Sequence, residues 1–295
     1  MTNQELVNKI LTENGLDFNI AKLPLFAMQN GSPVPSPYFG LMNEKTNEII
    51  HSVRGGYTVS QNKEIVEMVV AGLKPFGDKL SVTKAGSLNG GRKVFLQLSI
   101  EGESKVGNDT IKKYVTIIDS NDGSTGLGVG IGNLTMSCQN QFFKFYRAGQ
   151  SKFKHTESIE KRIMEIPDLI ENALSQTMQI INQFSRFEST PVSRELAHKL
   201  VKHLLGVDKK TSSIKELADM STRATNMMDA LYTNIEGEMN SKGNNVWGLF
   251  SGVTRWTTFE KAAPKRDNGR LESIMTGNNY ATNQKAFNFA MELVG

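Results

Sequence analysis

The apolar positions of this chain follow two different periods. Leu6, Ile10 and Leu11 mark a short helix over residues 2–13. Segment 23–40 holds Pro24, Pro33, Pro35 and Pro37, a density no helix survives, and reads as an irregular arm or linker. Phe39–Met42 and Glu48–Val53 flank the polar run Asn43–Asn47, a hairpin signal that Gly55 and Gly56 end. Ser60, Gln61 and Asn62 then open a helix whose Ile65, Val66, Met68, Val69, Val70 and Leu73 form a wide apolar face. Strands are predicted over 79–88 and 93–100, joined by the turn Asn89-Gly90-Gly91, whose residues tolerate positive φ. Further strands cover 110–119 and 125–138. In the last of these Gly126, Gly128, Gly130 and Gly132 share one face, so a backbone, an aromatic ring or a ligand must approach it closely.

The period changes at His155. Ile159, Ile163, Ile166, Ile170, Leu174, Met178, Ile181 and Phe184 step by three or four along a helix of about 30 residues. Pro167 inside it predicts a kink. Helices over 193–206, 214–238, 244–261 and 279–293 follow. The fold class is therefore α+β: an N-terminal hairpin, a helix and an antiparallel sheet, followed by an all-helical C-terminal half. Three regions are expected: residues 1–43 as N-terminal helix and Pro-rich arm, 44–154 as antiparallel sheet with one helix, and 155–295 as the helical region.

Composition narrows the class. With 38% apolar and 22% charged residues, neither disorder nor a fibrous chain is indicated. No apolar run is long enough to span a bilayer, and the N-terminus lacks a signal-peptide pattern, so a cytoplasmic protein without membrane contact is expected. The one cysteine, Cys138, excludes an internal disulfide framework. The net charge of +4 is unevenly placed. Residues 1–155 carry 17 Lys/Arg against 13 Asp/Glu, whereas residues 156–295 carry 17 against 17. The excess favours an anionic partner for the first half.

One segment concentrates candidate chemistry. Gln141–His155 holds Phe142, Phe143, Phe145, Tyr146 and Phe153 among Lys144, Arg147, Lys152 and Lys154, with no acidic residue. Cations attract a phosphate backbone, and aromatic faces stack on unpaired bases of any sequence. Lys144, Arg147, Lys152 and Lys154 are the phosphate candidates, and Phe143, Phe145 or Tyr146 the stacking candidates. Arg54, Lys84, Arg92 and Lys93 extend the groove along the sheet, and His155 is a further phosphate contact. The plainer alternative is a strand end whose rings are core and whose lysines are solvated.

Other motifs point elsewhere less strongly. Gly126–Gly130 lacks the spacing of a phosphate loop. His198 and His203 are five apart, off the ligand spacing of a helical metal site. Cys138 has no assignable base and reads as a structural thiol. Asp109, Asp119 and Asp122 lack the partners of a metal nuclease. Val246, Phe250, Val253 and Trp256 fall on one helical stripe, which reads as packing. Lys261, Lys265, Arg266 and Arg270 form a basic loop that offers a second anion contact. No catalytic set and no cofactor are expected.

Several short motifs carry a resemblance. Arg54–Asn62, Ala85–Arg92, Cys138–Asn140, His155-Thr156 and Asn245–Thr254 resemble, in this order along the chain, a phage- and plasmid-like family catalogued as domain of unknown function 932. The resemblance implies a viral or mobile-element origin and no established activity. The order of hairpin, helix, sheet and helix is also similar to that of phage single-strand annealing recombinases, which assemble as rings or filaments around nucleic acid. The expected function is a non-enzymatic, oligomeric protein that binds single-stranded DNA and promotes annealing or recombination. The alternative is a phage structural or interaction protein.

Overall fold

The computed structural model describes residues 2–122, 128–137, 139–146, 159–206 and 222–295; the side chains of 146 and 159–164 are outside the description. Helix α1 (Asn3–Glu13) is opened by a reciprocal cap between Thr2 and Glu5 and buries Val7, Ile10 and Leu11. Strands β1 (Ile20–Gln29), β2 (Ser32–Asn43) and β3 (Glu48–Arg54) then form a three-stranded antiparallel sheet in sequential order.

The arm expected to be irregular is therefore a long hairpin, and its prolines explain how. Pro33 and Pro35 pair with Met28 and Phe26, and Pro37 falls in the irregular stretch where the register shifts between Pro24 and Phe26. A proline has no N–H to give, so Pro33 and Pro35 occupy positions whose amide would face away from β1, and Pro37 sits where the ladder is already interrupted. Their spacing blunts the outer edge of β2 without breaking its pairing. Asn30 and Gly31 make the turn with φ of 50° and 81°, the left-handed conformations that a tight hairpin requires.

Helix α2 (Asn62–Gly72) is capped by Gln61 and Glu64. A 3₁₀ turn leads into the second sheet, ordered β4-β5-β7-β8-β9, with β6 beside β7. Its strands are β4 (Leu80–Leu88), β5 (Lys93–Ile100), β6 (Ser104–Val106), β7 (Asp109–Ser120), β8 (Gly128–Thr135) and β9 (Gln141–Tyr146), all antiparallel to their neighbours. The inner face presents Leu96, Leu98, Val115, Ile117, Val129, Ile131 and Phe142 to the helices.

The helical half contains α3 (Ile159–Ser189), α4 (Arg194–Leu205), α5 (Thr222–Lys242), α6 (Val246–Phe259), α7 (Gly269–Met275) and α8 (Asn278–Val294). Pro167 lies within the single helical run of α3. The parts of the expected helices at 155–158 and 214–221 lie outside the described residues. One continuous apolar cluster joins α1, α2, the inner sheet face and the long helices. Within it Phe142, Phe184, Phe187, Phe250 and Phe287 interlock at ring separations of 5.3 to 6.4 Å. Burying such rings supplies much of the energy that sets the helices on the sheet.

Candidate nucleic-acid interface

Strand β9 carries the aromatic–basic pattern, and alternation sorts it onto two faces. Register places Phe142 and Lys144 on the inner face, opposite Asn133 and Ile131. Phe143 and Phe145 fall on the outer face, opposite Gly132 and Gly130. The glycine face is thus covered by aromatic rings of the neighbouring strand. A Cβ on Gly132 would lie 3.0 Å from the Phe143 ring, and one on Gly130 2.6 Å from that of Phe145.

Coverage changes the role of these rings. Phe143 is only 2% exposed and packs with Leu88, Phe95, Ile118, Ile274 and Met275 beneath α7. It is core, and its ring is covered rather than open to a base, contrary to the expectation that it stacks. Phe145 is half-buried at the edge of that cluster, parallel to Phe143 at 6.4 Å and 6.0 Å from Tyr280. Lys144 turns inward, with Nζ 4.3 Å from the Phe287 ring centre, and burial pushes its amine below the ordinary lysine value. It does not share a face with Phe145 and points into the protein rather than toward a phosphate, contrary to expectation. Arg147, Lys152, Lys154 and His155, the Tyr146 side chain, and Cys138 lie outside the described residues.

The free edge of β9 is closed by side chains from the helices. The Gln141 amide donates to Thr258 Oγ1 at 3.2 Å, and the Phe145 amide donates to the Tyr280 hydroxyl at 3.4 Å. Gln284 Nε2 donates to the Phe143 carbonyl at 2.8 Å. These contacts satisfy the groups that an edge strand would otherwise offer to another chain.

The remaining candidates separate. Arg54 is exposed at the end of β3 and so belongs to the other sheet; it does not extend a groove along the strands of the second. Arg92 is half-buried in the turn before β5, where its carbonyl accepts from the Asn121 amide. Lys93 lies on the outer face and reaches Thr276 Oγ1 at 3.3 Å. Lys84 lies exposed on the same face, just past a bulge in β4.

The outer face has a charge pattern that no local sequence motif marks. Register brings Lys84, Lys93, Lys105 and Lys112 to this side, with Gln97, Ser99 and Tyr114 among them. Among the described strand residues of that face there is no Asp or Glu. Glu101 and Glu103 flank it, one in the loop after β5 and the other just before β6. Lys84 and Lys105 are exposed, and Lys112 and Tyr114 are half-buried. Burial pushes the Tyr114 hydroxyl above its ordinary value. Helix α7 meets the outer strands β4 and β9, where its residues join the Phe95–Phe143 cluster. The lysine-bearing region continues past that cluster. Its signal in the sequence was parity: Lys112, Tyr114 and Thr116 alternate with Val115 and Ile117 in β7.

The second basic loop is engaged internally. Arg270 donates to the carbonyls of Thr257, Thr258 and Lys261, which end α6. Arg266 pairs with Glu272 at 2.7 Å. Lys261 donates to the Asn278 carbonyl and to Thr282. These three cations hold α6, α7 and α8 together and do not converge on a free anion site.

The short motifs are largely structural pins. Asn62 donates to the carbonyls of Leu16 and Phe18, and Asn121 donates to Asn62 and to the Gly91 carbonyl. Asn140 donates to the Ser251 carbonyl in α6. Asn245 caps α6, while Gly248 and Gly252 let that helix press on the backbone of α5 at Met239 and Ile235. Trp247 donates to Asp109, which also receives Ser137 and Lys242. Among the described residues no helix is long and apolar enough to cross a membrane.

No curated protein and no solved structure matches this chain. A family model does, over residues 49–279, a span that takes in the second sheet, the capped α6 and the pins between them. By that match the chain belongs to the family described as Domain of unknown function (DUF932).

Proposed function

We propose that this chain binds single-stranded nucleic acid, DNA foremost, on the outer face of its six-stranded sheet. It then promotes strand pairing as an oligomer, without a covalent step of its own, in the setting of a phage or mobile element. The observation that carries this reading is the set Lys84, Lys93, Lys105 and Lys112 on one face that lacks carboxylates among its described strand residues. Neighbouring strands lie about 4.8 Å apart, so Lys84, Gln97, Thr116, Gly130 and Phe145 make a row about 19 Å wide. Lysines on such a platform neutralise phosphates, while Tyr114 supplies a ring for a base and Gln97 a hydrogen-bonding amide. Affinity of this kind falls steeply with salt and depends little on sequence.

The test is binding of a labelled oligothymidylate by fluorescence anisotropy. Tyr114→Ala should weaken it by about 1–3 kcal/mol, the range for loss of one base stack. Unchanged affinity in that variant would remove Tyr114 from the site.

A second reading, a structural or interaction protein, is favoured by the hairpin arm. Residues 23–42 contain no charged side chain, and Phe26, Met28 and Tyr38 are exposed on it. Such a surface suits protein contact more than phosphate. Assembly on a sizing column without retention on single-stranded DNA would favour this reading over the first.

A further inference from the structure

The hairpin of β1 and β2 outruns the rest of its sheet. Strand β3 pairs with β2 only from Tyr38 to Asn43, so residues 26–35 stand as a two-stranded ribbon, and every one of them is exposed. Such a ribbon is marginally stable by itself in water. Its side chains are nonetheless apolar, with Phe26 57% and Met28 69% exposed. No charged residue lies between Leu23 and Met42, so the lysines that commonly keep a strand edge from pairing are missing.

The two edges of the ribbon differ. On the β2 side, Pro33 and Pro35 leave no N–H to give. The same prolines fix what β1 shows on the other side. Phe26 and Met28 stand opposite them in non-hydrogen-bonded pairs, so the N–H and C=O groups of Phe26 and Met28 point away from β2. The hydrogen-bonded pairs are Ala27 with Val34 and Gln29 with Ser32, the second closing the Asn30-Gly31 turn as a two-residue hairpin requires. Nearer the body, the outward groups of β1 are covered: Gln61 accepts from the Ile20 amide at 2.9 Å and donates to the Ile20 carbonyl at 3.1 Å. At Phe26 and Met28 no strand among the described residues covers them, because β1 ends its sheet.

We infer that a second copy of this chain closes that edge, β1 against β1, antiparallel about a two-fold axis at Ala27. The open groups lie two residues apart, which makes the edge complementary to its own antiparallel copy. Phe26 of each copy lies opposite Met28 of the other, and these two pairs exchange four hydrogen bonds. Pro24, with no N–H, and the Asn30-Gly31 turn end the ladder on either side and fix its register. Two marginal ribbons become one four-stranded sheet, with a ring–thioether contact between Phe26 and Met28 across the axis. Ala27 faces its own copy where non-hydrogen-bonded strands approach most closely, and its small side chain fits there. The contact names the partner behind the oligomer of the proposed function. It shares no residue with the outer face of the second sheet and is measured without nucleic acid, so either proposal can fail alone.

Sedimentation velocity over a wide range of protein concentration tests it, with disulfide trapping beside it. The parent chain should pass from monomer to dimer or larger species as concentration rises. Met28→Pro removes an outward N–H without touching a bond to β2, and should weaken association about tenfold or more, the effect of two lost hydrogen bonds per dimer. Under mild oxidation Ala27→Cys/Cys138→Ser should form a disulfide-linked dimer, whereas Ser32→Cys/Cys138→Ser, on the far strand, should not. The trapping pair keeps the test sound if Met28→Pro disturbs the arm. A parent chain that stays monomeric would overturn the inference and leave the edge to a strand of a different protein. Unchanged association in a folded Met28→Pro, or trapping at 32 as readily as at 27, would overturn it as well.

Discussion

The Phe145 ring lies against the backbone of Gly130, and no side chain fits between them. A Cβ at 130 would stand 2.6 Å from Phe145 Cδ1 and 2.7 Å from the Lys144 carbonyl oxygen. Because backbone blocks it as well as a ring, rotation of Phe145 cannot relieve the clash. Gly130→Ala should therefore destabilise the fold by about 1–3 kcal/mol or more, as overpacking does. Urea unfolding checks this, and a neutral result would mean that β9 does not lie on β8 as described.

Asp109 ties the start of β7 to the helical half. Its carboxylate accepts from Ser137, Lys242 and Trp247, and the Asp109 and Lys242 side chains are both 8% exposed. Asp109→Asn leaves Lys242 with only Glu238, and loss of one partner of a buried pair costs about 3–5 kcal/mol. The double variant Asp109→Asn/Lys242→Met should recover part of that loss in the same unfolding assay.

The same residue sets a pH dependence. Burial alone would push the Asp109 carboxyl up, but the bonds from Lys242, Ser137 and Trp247 outweigh it and hold the group below its ordinary value of 3.8. The native state then binds the proton less readily than the unfolded chain. The resulting stabilisation is complete above the ordinary value and is lost as pH falls below 3.8 through the native one. Acid unfolding followed by circular dichroism should show this component in the parent and lack it in Asp109→Asn.

Lys261 has the same sign in a higher pH window. Burial, with the charge of Lys285 added, pushes its amine from 10.5 down to about 8. The native chain loses this proton before the unfolded chain does, so the group makes stability rise with pH between about 8 and 10.5. Lys261→Met should flatten that rise. Reductive methylation at pH 8 followed by peptide mass mapping should also label Lys261 ahead of exposed lysines such as Lys84 and Lys105, whereas equal labelling would contradict the shift.

Much of the fold was legible because period and turn chemistry agree locally. The turn at Asn89-Gly90-Gly91 is a case, with all three residues at positive φ between β4 and β5. The alternating glycines of β8 were also legible as a face something must cover, and the cover is aromatic. The arm was less legible because proline density argues against strands in general. Only the two-residue spacing of Pro33 and Pro35 allows one, and Asn30-Gly31 was the hairpin signal beside it. The aromatic–basic segment misled for a long-range reason. Phe143 looks available in sequence, but Ile274 and Met275, about 130 positions later, cover it. Lys105 and Lys112 escaped notice because only strand pairing puts them on the same face as Lys84.

The account rests on the outer sheet face acting as an electrostatic platform, and the salt dependence of binding tests it most directly. Affinity for an oligothymidylate, measured from about 50 to 200 mM salt, should fall steeply for the parent chain. In the triple variant Lys84→Ala/Lys105→Ala/Lys112→Ala the slope of log affinity against log salt should flatten by about 2, or about 0.7 per lost phosphate contact. Binding should weaken most at the low-salt end. A folded triple variant with the parent's slope and affinity would contradict the account and leave this face without a role in holding nucleic acid.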